Sequence, residues 1–385
     1  MTQRLELPIG LLISQSGSYE AVSRAIHAGA ELAIGEINAR PQQPVKLIPV
    51  TIDPAGSLAG YVEGARVLLR DHGLKHVVGC YTSSSRKEVL PLFEKADALL
   101  WYPSHYEGFE TSENVVYSGA APNQHIVPLT RHLLGQFGTR GWMVGSNYVW
   151  AWENNRILRE AIAASGGAVL GERYFPVGET DLGDVVRQIV ADCPDFVFTT
   201  LIGQSGFAFL KMLRAAAEAA GIDQPSDMPV ASCSLSEAEL PLLGDAASGH
   251  LSSSVYFSTI KSDENRQFTA LWNERFGQMG QASADAESAY VAVHLLARAA
   301  ECAGSTGFEA VREAVRDLTF DAPQGQVTVD GDNLHCWMRP RIGRSRSDGS
   351  FDILVEHPAA LRPDPYLTWA HDARDGDSRD LRLIQ

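Results

Sequence analysis

The stretch His76–Pro91, HVVGCYTSSSRKEVLP, decides how the rest of the chain is read. A short apolar run ends at Gly79 and Cys80, and a serine-rich loop then leads into an amphipathic segment of helical spacing. A strand followed by a helix is the repeating unit of a parallel α/β sheet. Ligands of such sheets sit in the loops beyond the carboxyl ends of strands, which is where Thr82–Ser85 falls. Backbone N–H groups at a helix start, together with hydroxyls, can hold an anion or a polar neutral group. Three chemistries therefore compete for this loop: a phosphate cradle, a nucleophile, and a pocket for an uncharged solute.

The same alternation extends in both directions. IGLLIS (Ile9–Ser14) reads as a first strand rather than a leader, since a secretory signal needs a longer apolar core. Ala21–Ala39 places Ile26, Ala30, Leu32, Ala33 and Ile37 near helical spacing. VKLIPVTID is a second strand, LAGYVEGARVLLRDHG a helix with a glycine stop, and ALLWYP and NVVYSGA are further strands. The pattern restarts at HIVPLTRHLLGQFG and continues to about residue 250, a repeat of architecture without a repeat of residues. Beyond Gly249, LSSSVYF is extended, three helices follow, and QGQVTVD and FDILVEH read as strands. The expected fold class is α/β, with two doubly wound lobes and a ligand cleft between them. The closing segment, HDARDGDSRDLRLIQ, is polar and is expected to be mobile or to lie along the surface.

Composition removes several function classes. The 385 residues suffice for two domains, and 45% hydrophobic with 21% charged residues is an ordinary globular mix. A net charge of −15 argues against direct nucleic-acid binding or a grip on an anionic membrane. No run approaches the roughly 18 apolar residues of a membrane span. The five cysteines are scattered without a CxxC, which fits free thiols in a reduced compartment and argues against structural zinc. The pairs His72/His76 and His125/His132 lack a third ligand, so neither metal nor cofactor is expected. There is no GxxxxGK[ST] and no GxGxxG after the first strand, which weakens the phosphate reading. GxSxG is absent, and Cys80 at a strand end reads as a buried small apolar residue, so no enzyme activity is expected.

Aromatic residues collect at strand ends: Tyr81, Trp101, Tyr102, Tyr106, Tyr148, Trp150, Trp152 and Tyr256. Together they suggest a small, mostly apolar box with a few hydroxyls. No arginine–carboxylate pair is evident inside it, and Arg86 and Lys87 are expected to point outward along their helix. A neutral polar ligand is the natural inference.

At this point the chain resembles the type I periplasmic-binding-protein superfamily, and within it the amide- and urea-binding branch. The resemblance is carried by GCYTSSSRKEVLP (Gly79–Pro91), LLWYPSHYEGFE (Leu99–Glu110), SGAAPNQHIVP (Ser118–Pro128), GSNYVW (Gly145–Trp150), SLSEAEL (Ser234–Leu240) and APQGQVTVD (Ala322–Asp330). RPDPY (Arg362–Tyr366) looks closer to the cytoplasmic amide sensor than to secreted urea-binding proteins. The resemblance implies a first lobe of residues 1–121 and 251–322, a second lobe of 122–250 and 323–365, and a tail from 366 to 385. It implies that Tyr81, Ser83, Tyr102 and Ser104 from the first lobe and Tyr148 from the second hold the ligand, with Trp150 where the sensor has tyrosine. An indole donates but cannot accept, so Trp150 departs from the family pattern, as does His105.

The expected function is then a cytoplasmic sensor for a short aliphatic amide, urea or an analogue. By family analogy it relays closure to an RNA-binding antitermination regulator of an amidase-type operon. The alternative is the periplasmic substrate-binding component of an amide or urea ABC importer. The sequence leaves a homo-oligomer open.

Overall fold

The computed structural model describes residues 4–368 and the backbone of 382–383. The first sheet contains β1 (Leu5–Leu12), β2 (Val45–Ile52), β3 (His76–Gly79), β4 (Leu99–Tyr102) and β5 (Val115–Tyr117). It is parallel throughout, in the order β2-β1-β3-β4-β5. β3, β4 and the edge strand β5 are buried at every position, as parallel strands covered on both faces must be.

The second sheet begins with β6 (Arg140–Ser146), β7 (Ala168–Phe175), β8 (Phe196–Thr200), β9 (Val230–Ser232) and β10 (Leu251–Ser254). These five are parallel and repeat the order of the first sheet. A separate small sheet joins β11 (Thr319–Ala322), β12 (Gly325–Val329) and β13 (Cys336–Trp337). β14 (Arg341–Ser345), β15 (Phe351–Glu356) and β16 (Arg382–Leu383) then extend the second sheet by antiparallel pairing beyond β10.

The α/β, two-lobed class expected from the sequence is the observed one. Several details differ. The first strand runs Leu5–Leu12 rather than Ile9–Ser14. The helix after β2 is α-helical over Leu58–Arg66 and then widens to a π turn over Val67–Asp71. β11, β13 and β14 were not expected as strands. The expected lobe boundary at residue 322 falls inside the β11–β12 hairpin, whose Ala322 pairs with Gly325. That hairpin packs on the first-lobe helix Ala284–Ala303 and pairs with β13, whose neighbour His335 bridges to Tyr117 and stacks on its ring at 3.9 Å. The chain joins the second sheet only at β14. Most of the closing segment read as a tail lies outside the described residues.

Helices cover both faces of each sheet. In the first lobe Glu20–Ala39 packs on Ala284–Ala303, a helix from much later in the chain. A methyl group on Gly29 would lie 2.0 Å from the Ala286 carbonyl oxygen, so glycine permits this close approach. The main hydrophobic core runs through both lobes, from Leu7 and Trp101 to Met143 and Phe198.

Both sheets have the order in which the chain reverses direction beside its first strand. In the first lobe this switch point lies between β1 and β3, and in the second between β6 and β8. The loops beyond those strand ends face one another, and they form the cleft.

The turn at the end of β3 is set by backbone contact. The Cys80 N–H donates to the Leu12 carbonyl at 3.0 Å, and Cys80 takes the left-handed conformation (φ 63°). A methyl group on Gly79 would lie 2.2 Å from that same Leu12 oxygen. Gly79→Ala should lower unfolding free energy by about 1–3 kcal/mol in urea titrations, through overpacking against backbone. Wild-type stability in that variant would show that the turn is not so constrained.

Candidate functional site

Thr82 caps the helix Ser83–Ala96, its hydroxyl accepting from the Ser85 N–H at 3.1 Å. This cap leaves Ser83 at the first helical position, at the cleft. A cavity between the lobes is lined by Tyr81 and Ser83 after β3, Ser104 and His105 after β4, Tyr148 and Trp150 after β6, and Ile202 after β8. Five of the six site residues expected from sequence therefore come together. The sixth, Tyr102, sits behind them: it is fully buried and its hydroxyl donates to the Tyr81 carbonyl at 2.7 Å. It positions the Tyr81 backbone rather than lining the cavity.

Of the other aromatics, Trp101, Tyr106 and Tyr256 are buried core residues. Trp152 is exposed, donating to Asn147 Oδ1 at 3.1 Å, and lies outside the cavity. Trp150 does belong to it. Its ring stacks with Tyr148 at 6.1 Å and meets His105 edge-on at 5.2 Å. Burial pushes the phenols of Tyr81 and Tyr148 well above their ordinary value, so both stay protonated.

Arg86 overturns one expectation. It does not point outward; its side chain is 0% exposed. The reason is helical spacing, because Arg86 lies three residues after Ser83 and shares its inward face. Its Nε donates to Glu110 at 2.6 Å and its Nη2 to Glu107 at 3.3 Å. The guanidinium lies 4.7 Å from the ring centres of both Tyr102 and Tyr106. Lys87, half-exposed, pairs with Glu110 at 2.7 Å. Ser83 in turn donates its hydroxyl proton to Glu107. Two cations face two carboxylates here, so no positive charge is left over to attract an anion. The phosphate reading of the loop fails on this balance.

Burial lowers Arg86, but Tyr102, Glu107 and Glu110 outweigh it and hold the guanidinium well above its ordinary value. Burial likewise raises Glu110, yet Arg86 and Lys87 bring its carboxyl down to about 2. Cys80 is the opposite case: burial pushes its thiol up to about 12, which makes it unreactive at neutral pH.

A second cavity adjoins the first at His105. Its walls include His125, Cys233, Ser253, Ser254, Asp285 and Ser288. Space for the centre of a water-sized molecule amounts to about 30 Å³ here and about 10 Å³ in the first cavity. Only a solute of a few heavy atoms fits with the lobes in this position. Burial pushes His105 down to about 3 and His125 down to about 4, so both imidazoles are neutral. Asp285 was not anticipated from sequence, since it lies about 200 residues from the serine loop and only the fold joins them.

The lobes touch at the mouth of the cleft. The Gln204 N–H of the second lobe donates to the Ser18 carbonyl of the first at 3.0 Å. A methyl group on Gly203 would lie 1.9 Å from that carbonyl oxygen, and Gly203 has φ 59°.

Two lobes of this topology, joined by crossovers and enclosing a small cavity at both switch points, define a two-lobed solute-binding protein. The chain belongs to the periplasmic binding protein domain family, whose model matches residues 7–372. A curated relative, the Leu/Ile/Val-binding protein homolog 6 of Brucella abortus, is 24% identical over 74% of this chain and 72% of its own. A limonene hydroxylase of Geobacillus stearothermophilus is 30% identical over 122 residues, 32% of this chain and only 22% of that protein. Among solved structures, a solute-binding protein of an ABC transporter from R. palustris, in complex with 4-hydroxybenzoate, superposes with a TM-score of 0.82 at 20% identity, covering 94% of this chain and 99% of its own. The leucine-binding protein LivK of Thermotoga maritima gives 0.79 at 16% identity, covering 91% and 98%. These structural likenesses are of fold. The family is one of binding proteins, not enzymes.

Arg86→Met would leave Glu107 and Glu110 buried without their cation and should destabilise the protein by about 3–5 kcal/mol in denaturant titrations. A loss within about 0.5 kcal/mol would contradict that role. Because Glu110 is depressed from 4.5 to about 2, its contribution is complete above pH 4.5 and disappears as pH falls through 2. Glu110→Gln should therefore flatten the acid limb of the stability profile over that window, and an unchanged limb would exclude the coupling.

Proposed function

We propose that this protein is a small-solute receptor that closes its two lobes on a compact nitrogenous solute of the short aliphatic amide or urea type, and that its role is delivery of that solute to an ABC importer. The observation that supports the binding role is the cavity lined by Tyr81, Ser83, Ser104, Tyr148 and Trp150, which draws walls from both lobes. The curated relative matched over three quarters of this chain carries a binding-protein name, which favours the receptor role over a sensor. The small volume supports a ligand of amide size rather than a larger one. A ligand between the lobes favours closure by as much as it binds the closed form better than the open one.

A cytoplasmic sensor that relays closure to an RNA-binding regulator is the second reading. It is favoured by the RPDPY run, whose Pro365 carbonyl accepts from the Phe109 N–H at 2.8 Å and so ties the Arg362–Tyr366 segment to the loop behind Ser104. The ligand chemistry is the same in both readings.

Titration calorimetry with acetamide, propionamide, butyramide and urea should detect binding of at least one. Benzoates and branched-chain amino acids, in the same series, should bind more weakly. The reverse order would remove the amide-type ligand while leaving the receptor. Tyr148→Ala or Ser83→Ala should weaken the best ligand by about 1–3 kcal/mol, and unchanged affinity in both would move the site elsewhere. Gly203→Ala should cost about 1–3 kcal/mol of binding by obstructing closure at Ser18, and should also lower the melting temperature of the free protein because alanine is strained at φ 59°.

A further inference from the structure

The second cavity has an uneven hydrogen-bond inventory. Ser288 donates its hydroxyl proton to the Ser118 carbonyl at 2.7 Å, and Ser253 donates to the His125 carbonyl at 2.8 Å. The His125 Nε2 lies 2.9 Å from the Tyr106 carbonyl, which can only accept, so Nε2 carries the ring proton. His125 Nδ1 is then a bare lone pair; it is buried and has no partner. Ser83, in the adjoining cavity, has spent its proton on Glu107. These groups offer a ligand lone pairs, and the buried, unpartnered Trp150 Nε1 of the adjoining cavity is the donor set against them.

Asp285 lines the same cavity and adds a carboxyl group. It is about nine-tenths buried or more, at 6% exposure, and forms no salt bridge among the described residues. Burial pushes its carboxyl up to about 7, against hydrogen bonds from its own backbone N–H and from Ser236 but with no cation to offset it, and the carboxyl of Glu239 is pushed up to about 8 by burial and by Asp285. The first turn of the helix Ala284–Ala303 gives Asp285 only a partial positive counterpart. The contrast is with Glu107 and Glu110, which have Arg86 and Lys87. Buried carboxylates are normally paired, and this one faces an empty space the size of a small functional group. The His105 ring borders this cavity, and the rings of Tyr148 and Trp150, which can face a cation, line the adjoining one.

Building on the receptor reading, we propose that the ligand presents a cationic, donor-rich nitrogen group to Asp285, of the amidinium or guanidinium class. Such ions have the shape and size of amides and urea. They differ in carrying a full positive charge and in offering N–H donors where the amide or urea has its carbonyl acceptor. Asp285 is then the residue that discriminates charged from neutral members of one isosteric set, by pairing with the first and standing uncompensated before the second.

The test is calorimetry on the full chain with two isosteric pairs: acetamidinium against acetamide, and guanidinium against urea, as chloride salts where charged. In each pair that binds, the cation should bind at least about tenfold tighter than its neutral partner. Asp285→Asn should lose at least about tenfold for the cation and change the neutral partner by less than about threefold. Asp285→Ser is the second variant, and a thermal melt of each checks folding. A neutral compound binding as tightly as its cation, or a cation indifferent to both substitutions, would overturn the role of Asp285 and leave the receptor standing. Failure of all four compounds to bind would overturn both.

Discussion

The site rests on one buried cation. Arg86 projects inward from the helix that begins at Ser83, and its guanidinium is wedged between the rings of Tyr102 and Tyr106 while holding Glu107 and Glu110. Those partners come from the end of β4 and the loop beyond it, so a single side chain fixes two cleft loops to each other. Ser83 is held through Glu107, and the Tyr81 backbone through Tyr102. Tyr117 joins by donating to Glu110 at 3.0 Å, and His335 stacks beneath it. The first lobe therefore presents a preorganised wall, and little ordering cost is left for ligand binding. The second lobe brings Tyr148, Trp150 and Ile202 to that wall when the Ser18 and Gln204 backbones meet.

Much of the fold was legible because parallel strands buried on both faces are plain apolar runs, and the helices between them keep their spacing. What escaped reading was polar. β14, RIGRS, carries two arginines and a serine, yet it lies between β10 and β15 in the second sheet. Arg341 is buried there because Glu356 takes its Nε at 2.7 Å and the Gln324 carbonyl takes its Nη2 at 3.0 Å. Partners so distant in sequence leave no local signature. The expected lobe boundary at residue 322 falls inside the β11–β12 hairpin, and His335 beyond it meets Tyr117 of the first lobe, a contact that no local pattern announces.

The site was legible to the extent that it follows strand ends. Tyr81, Ser83, Ser104, Tyr148 and Trp150 each fall just beyond a strand, and the switch points of the two sheets bring them together. Arg86 was misread as outward, although its three-residue offset from Ser83 and the pair of glutamates in YEGFE were available signals. Asp285 had none. It is an ordinary first-turn acid of a long helix until the fold sets it against His125 and Cys233. The loop HVVGCYTSSSRKEVLP thus lies at the cleft with changed electrostatics: the Arg86 cation in it is neutralised from behind by Glu107 and Glu110.

The most direct measurement is a crystal structure of the protein with a bound amidinium or guanidinium ion. The account predicts the ion between the lobes, touching Asp285 in the first lobe and Tyr148 or Trp150 in the second within one closed molecule. An ion seated on one lobe alone, or outside the cleft, would contradict it.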